Sequence, residues 1–174
     1  MKMHVKCLSI GFTLIELMIV VAIFAFMGGL VMVTTGHINR SLIRTDINHI
    51  TALCKHAQYK AMMNGKPVII QCSSAGNSYS CEQSMHQLTN GVCFGTVPEA
   101  KGPPSAPTKP ITNPITFERE SITFTPDGMM QSGALYLVDA KKQVMYAVTN
   151  GVSAVSFLRI YQYDGQQHAW KEIR

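Results

Sequence analysis

The sequence predicts an α+β chain: one long N-terminal α-helix, its first half a membrane span, packed on a C-terminal antiparallel β-sheet or β-sandwich head. Three observations predict it. An apolar run from Phe12 to Val33 carries a single charge, Glu16. Beyond it, apolar residues recur at helical spacing as far as Ala61, and after Pro67 the chain breaks into short β-rich runs separated by turn dipeptides.

A bilayer core takes roughly 20 apolar residues as a helix, and residues 12–33 supply that length behind a short basic head, residues 1–11. An ionised carboxylate inside such a run costs on the order of 2.5–3.5 kcal/mol on insertion scales, so Glu16 is expected to have a partner, a cation. An ordinary secretory signal places its small residue after the apolar core. Here Gly11 comes before it. Cleavage between Gly11 and Phe12 would remove the head, keep the whole helix and create an amine one helical turn before Glu16.

The helix continues in residues 34–65. Ile43, Ile47, Ile50, Cys54, Ala57 and Ala61 follow one another in steps of four and three, one face of an α-helix. Arg44, Asp46, Asn48, Thr51, Lys55, Gln58 and Lys60 fall off that stripe. Asn64-Gly65 is a C-cap and Pro67 a stop. Unbroken from Phe12 to Asn64, the helix would be about 80 Å long at 1.5 Å per residue, with Gly28-Gly29 and Gly36 as its weak points.

Residues 66–174 form the predicted head. Short strands are expected at Pro67 to Cys72 and around Tyr79 to Gln83, with Ser73 to Ser78 as a turn. Later strands are expected at Ser121 to Thr125, Ala134 to Asp139, Gln143 to Thr149, Val152 to Tyr163 and Gln167 to Ile173, the last four as a meander. Asn150-Gly151 and Asp164-Gly165 are the dipeptides that two-residue type I′ hairpins prefer. Residues 97–115 hold six of the chain's eight prolines and almost no large apolar side chain. That composition predicts an exposed loop without a share in the core, read either as a tolerated insertion or as a docking segment.

Gly11-Phe12-Thr13-Leu14-Ile15-Glu16-Leu17 resembles the processing site of type IV prepilins and type II secretion pseudopilins. The resemblance implies that a membrane prepilin peptidase cuts between Gly11 and Phe12 and methylates the new amine of Phe12. It also implies that Glu16 neutralises the amine of a neighbouring subunit as subunits leave the bilayer for a helical filament. The head runs Val68 to Cys72, Cys81, Gly91 to Phe94, Ile122 to Gly128 and Gly133 to Leu137 resemble the H-type minor pseudopilins and the FimT-type minor pilins. That family lays a long helix on two small antiparallel sheets. The implied function is a minor pseudopilin of a type II secretion pseudopilus that helps initiate or cap the filament during protein export. The alternative is a FimT-type minor pilin of a type IV pilus, binding DNA in natural transformation. Implied partners are the prepilin peptidase, other major and minor pseudopilins or pilins and the inner membrane, with no cofactor. The implied placement is a single pass through the inner membrane, N-terminus cytoplasmic and head periplasmic.

Charge and cysteine usage agree with export. The 174-residue chain carries a formal +5; removing Lys2 and Lys6 from its 15 basic residues leaves 13 against 10 acidic ones, a net +3. Both lysines sit in the head segment, which keeps that side cytoplasmic by the positive-inside rule. Cys7 is removed with it, leaving Cys54, Cys72, Cys81 and Cys93, an even number in an exported chain. Cys72 and Cys81 flank a turn and are the expected disulfide. Cys54 would face Cys93 by elimination, although on a buried helix stripe a free cysteine behaves as a small hydrophobe.

Enzyme motifs are missing from the sequence: it has no C-x-x-C, G-x-S-x-G, P-loop or G-x-G-x-x-G. His37, His49 and His56 share the helix without the i, i+4 spacing that sets two imidazoles on one metal. No catalytic or metal role is expected. Arg159, Tyr161, Tyr163, His168, Trp170, Lys171 and Arg174 interleave aromatic and basic side chains in the manner of single-strand nucleic-acid binders. Strand alternation equally makes the tyrosines sheet packing, and +3 is a weak electrostatic footprint. Arg159, Lys171 and Arg174 are the contacts this second reading would use.

Overall fold

A computed structural model describes residues 13–98, 100–102, 108–150, 158–165 and 167–173, except the side chains of residues 29–39. Two compact units are distinguished, Met1–His37 and Ile38–Arg174. One helix, α1, runs Leu14–Asn64 with Gly28, Gly29 and Gly36 inside it. Gly65 follows at φ +62°, the left-handed C-cap that the Asn-Gly pair predicts.

In the first unit the described side chains beyond Glu16 are apolar on every side of the helix and exposed, from Leu17 and Met18 to Phe26 and Met27. A helix apolar all round is one made to be covered. Among the described residues no helix is long and apolar enough to cross a membrane. Phe12 and the side chains of Gly29 to Val33, the two ends of the expected span, lie outside the description.

The second unit has its own core. The predicted helix stripe holds throughout: Ile43, Ile47, Ile50, Cys54, Ala57 and Ala61 are all 3% exposed or less. Under it lies a four-stranded antiparallel sheet in the order β3-β2-β1-β5, made of β1 (Val68–Ser73), β2 (Ser78–Cys81), β3 (Ser84–Gln87) and β5 (Ser121–Phe124). A five-stranded antiparallel sheet runs β4-β6-β7-β8-β9, with β4 (Val92–Phe94), β6 (Gly133–Asp139), β7 (Met145–Asn150), β8 (Leu158–Asp164) and β9 (Ala169–Ile173). Strands β6 to β9 are the expected meander. A single helical turn, η1 (Glu118–Glu120), leads into β5.

The turns differ from expectation. Asn150 pairs with Leu158 and Asp164 with Ala169, so neither connection is a two-residue hairpin. After Asp164 the chain is held by an Asx-type bond, its carboxylate accepting from Gln167 N–H at 3.3 Å. Residues 151–157 lie outside the description.

Residues 97–115 correct a second expectation. Strands β6 and β7 are buried on both faces. One face, with Leu135, Leu137, Tyr146 and Val148, joins the core under α1. The other, with Tyr136, Val138, Met145, Ala147, Tyr161 and Tyr163, is covered by Val97, Ala100, Ile111 and Trp170. The proline-rich segment is thus part of a second core. It is held by Gly102 N–H on the Lys109 carbonyl at 2.6 Å, Tyr136 N–H on the Pro114 carbonyl at 2.8 Å, and the Trp170 indole N–H on the Lys101 carbonyl at 3.1 Å. A few small apolar residues suffice because they sit over a flat, already apolar sheet face. Residues 99 and 103–107 are outside the description.

Candidate functional site

Gly11 and Phe12, the expected processing pair, lie outside the described residues. The structure begins at Thr13, which places Glu16 at the third helical position. Thr13 N–H and Oγ1–H both donate to Glu16 Oε2, at 3.1 and 2.9 Å, while Glu16 N–H reaches back to Thr13 Oγ1 at 3.4 Å. This is a capping box: the first turn of a helix leaves N–H groups without partners, and a Thr-x-x-Glu pair satisfies them reciprocally. Glu16 therefore has partners in its own chain, where only a cation was expected. The Thr-x-x-Glu spacing is readable in the sequence. The carboxylate also lies at the positive end of the helix dipole, ringed by exposed Leu14, Ile15, Leu17 and Met18.

The head contacts α1 through polar anchors that helix periodicity did not indicate. Asp46, off the predicted stripe, is 6% exposed and accepts from Thr89 N–H at 3.0 Å and Thr89 Oγ1 at 2.8 Å. His49 Nδ1 lies 2.5 Å from the Tyr79 hydroxyl, and Lys60 pairs with Glu82 at 2.6 Å. Gln58 donates to the Gly128 carbonyl at 2.6 Å. His86, directly opposite Tyr79, stacks on its ring. Burial, with Asp46 adding to it, pushes the Tyr79 hydroxyl up to about 12.

The four described cysteines are free. Strand register does not set the expected Cys72–Cys81 pair face to face: Cys72 is opposite Tyr79, and Cys81 is opposite Ile70. The two thiols are diagonal neighbours, with Cα atoms about 7–8 Å apart in such pairs, whereas a disulfide wants no more than about 6.8 Å. The other expected pair, Cys54 and Cys93, is divided between the two cores. Cys54 lies in the core under α1 with Cys72 and Cys81, while Cys93 packs with the second core. Burial pushes both the Cys54 and Cys72 thiols up to about 12, so they are un-ionised and unreactive in the folded head.

The basic and aromatic C-terminal residues do not form one surface. Tyr161 and Tyr163 are 8% and 6% exposed under the proline-rich segment, and Trp170 packs against Tyr136 and Tyr163 with ring centres 6.1 and 5.2 Å apart. Their faces are occupied and offer no base a platform. Lys171 is opposite Gln162, so alternation sets it on the other side of the sheet from Arg159. Arg174 lies outside the description. Among the described residues no group of three or more His, Cys, Asp or Glu could hold a metal ion; His56 is exposed on α1, and the His37 side chain is not described.

A long helix opened by a capping box, apolar at its start and laid on antiparallel sheets in its second half, defines the pilin-like class of subunit. The profile of the type II transport protein GspH family matches residues 46–152, and that of the prokaryotic N-terminal methylation motif matches residues 9–32. The chain belongs to the GspH family, whose members are structural pseudopilins and not enzymes. The methylation motif implies processing by a prepilin peptidase, and pseudopilins assemble with other pilin subunits. No curated protein and no solved structure matches the chain.

Proposed function

We propose that the chain is a minor pseudopilin of a type II secretion pseudopilus that helps initiate or cap the filament. In this reading the peptidase cleaves between Gly11 and Phe12 and methylates Phe12. Residues 12–33 then anchor the subunit in the inner membrane, and the head, Ile38 onward, stands in the periplasm. The observation that carries it is the pairing of a GspH-type head with a methylation motif on a helix whose exposed apolar band requires a cover. Work of this kind is done by binding: the helix leaves lipid and packs among neighbouring helices, with Glu16 exchanging its Thr13 partners for the Phe12 amine of another subunit.

Two measurements test it. Intact mass of the membrane-extracted chain should show Phe12 at the N-terminus with one added methyl group. Chains that retain Met1 to Gly11 would end the reading. Deleting the gene should stop export of folded proteins to the medium while leaving them in the periplasm. Loss of twitching or DNA uptake with export intact would move the protein to a type IV pilus.

A further inference from the structure

We propose that Cys54 and Cys72 form the chain's disulfide, a covalent tie between α1 and β1, an interior strand of the four-stranded sheet. All four described thiols are free. Two contacts fix the level at which α1 crosses the sheet: His49 meets Tyr79 on β2, and Lys60 meets Glu82 just past its end. Cys54 lies between those two helix residues on the buried face, so it sits over the strand pair between Tyr79 and Glu82. Cys72 is directly opposite Tyr79 and shares its face. Cys54 is 1% and Cys72 3% exposed in one core. The next stripe residues, Ala57 and Ala61, are also small, and small side chains let a helix approach its sheet closely. Cys81 shares the core but lies at the hairpin end, beside exposed Glu82. Its diagonal register removes Cys72 as a partner without backbone movement.

The chemistry needs an oxidant, a disulfide donor. The Cys54 thiolate attacks the donor disulfide and releases one donor thiol; the Cys72 thiolate then attacks the Cys54 sulfur and releases the second. Two cysteine thiols are oxidised and one donor disulfide is reduced to two thiols. Because burial raises both thiols to about 12, the exchange belongs to the open chain, before the head closes. In the cell the proposal rests on the exported placement given above.

The test maps disulfides in the full-length chain carrying Cys7→Ala, which leaves four cysteines, reduced and unfolded, then refolded in detergent with glutathione disulfide. Cleavage after Lys55, Tyr79 and Glu82 separates the four cysteines. The expected product joins the Cys54 and Cys72 peptides, two hydrogens lighter than their sum, and survives in Cys81→Ala but not in Cys72→Ala. A Cys72–Cys81 or Cys54–Cys81 peptide, or four free thiols, would overturn it. The same map on chain alkylated directly from cells should show the same link. Free thiols there, with the link made in the tube, would overturn the exported placement and leave the thiol geometry standing.

Discussion

Gly133 opens β6 against the ring of Phe117, a residue 4% exposed in the main core. A methyl group built there would stand 2.6 Å from Cγ and 2.7 Å from Cε1 of that ring, and closer still to Cδ1. These are distances at which something must move. The ring cannot swing away freely, because Thr116 beside it is tied to Ala134 by two hydrogen bonds, at 2.9 and 2.8 Å. Overpacking of this kind costs typically 1–3 kcal/mol, and about 2 kcal/mol is expected for Gly133→Ala. For a domain of this size that corresponds to a fall in Tm of roughly 4–8 °C. The assay is urea unfolding of a head fragment starting at Ile38, in which both cores are complete. It should be run as a cycle with Phe117→Leu, which trims the ring from the contact. The added methyl should cost almost nothing once the ring is trimmed, giving a coupling of about 2 kcal/mol. Equal costs with and without the ring, or a cost below about 0.5 kcal/mol in the parent, would refute the contact.

Asp46→Ala should destabilise the same fragment by about 1–2 kcal/mol, because it leaves the part-buried Thr89 donors without their acceptor, with Asp46→Asn intermediate; urea midpoints decide it. Trp170→Ala should destabilise by about 3 kcal/mol and raise proteolysis within residues 97–115, since it uncovers Tyr136 and Tyr163; unchanged cleavage would show the segment is held without it. Cys54, Cys72, Tyr79 and Tyr136 all titrate at about 12 when folded, against 9.0 for a free thiol and 10.0 for a free phenol. The unfolded chain loses these protons first, so stability is fully present below about pH 9 and falls as pH rises towards 12. In the Cys54–Cys72 oxidised chain those two thiols no longer titrate, so the fall above pH 9, left to Cys81 and the tyrosines, should be shallower in thermal melts against pH.

Much of the head was legible because its signals are local. The stripe from Ile43 to Ala61 is periodic in sequence and buried in space, and the meander is a series of β-rich runs between turn residues. What escaped depends on long-range neighbours. Strand β3, Ser84–Gln87, is short, polar and half exposed, and it exists because Tyr79 and Ser80 offer it an edge. Residues 97–115 read as solvated because their own composition is poor in apolar mass, and only the apolar second face of β6 and β7 turns Ala100 and Ile111 into core. Cysteine register escaped for a related reason. Flanking a turn does not make two residues opposite, and register is set by side-chain burial across the whole sheet. At the N-terminus the charge of Glu16 is plain in the sequence, but its hydrogen bonds depend on the N–H and hydroxyl of Thr13, three residues earlier.

That hydroxyl changes how recruitment should be regarded. A carboxylate already held by its own chain is not an empty socket awaiting an ammonium; it is an occupied one, and the newcomer must displace a tethered rival. Tethering sets the rival's effective concentration in the millimolar range or above, however few subunits are present. On the pairing proposed above, docking of each subunit would depend on the difference between two partners for Glu16, which favours exchange that can run in either direction. A Thr13→Val chain, which keeps the backbone N–H bond to Glu16 but loses the hydroxyl's, would on the proposed pairing be the stickier subunit: quicker to join its neighbours and slower to leave them.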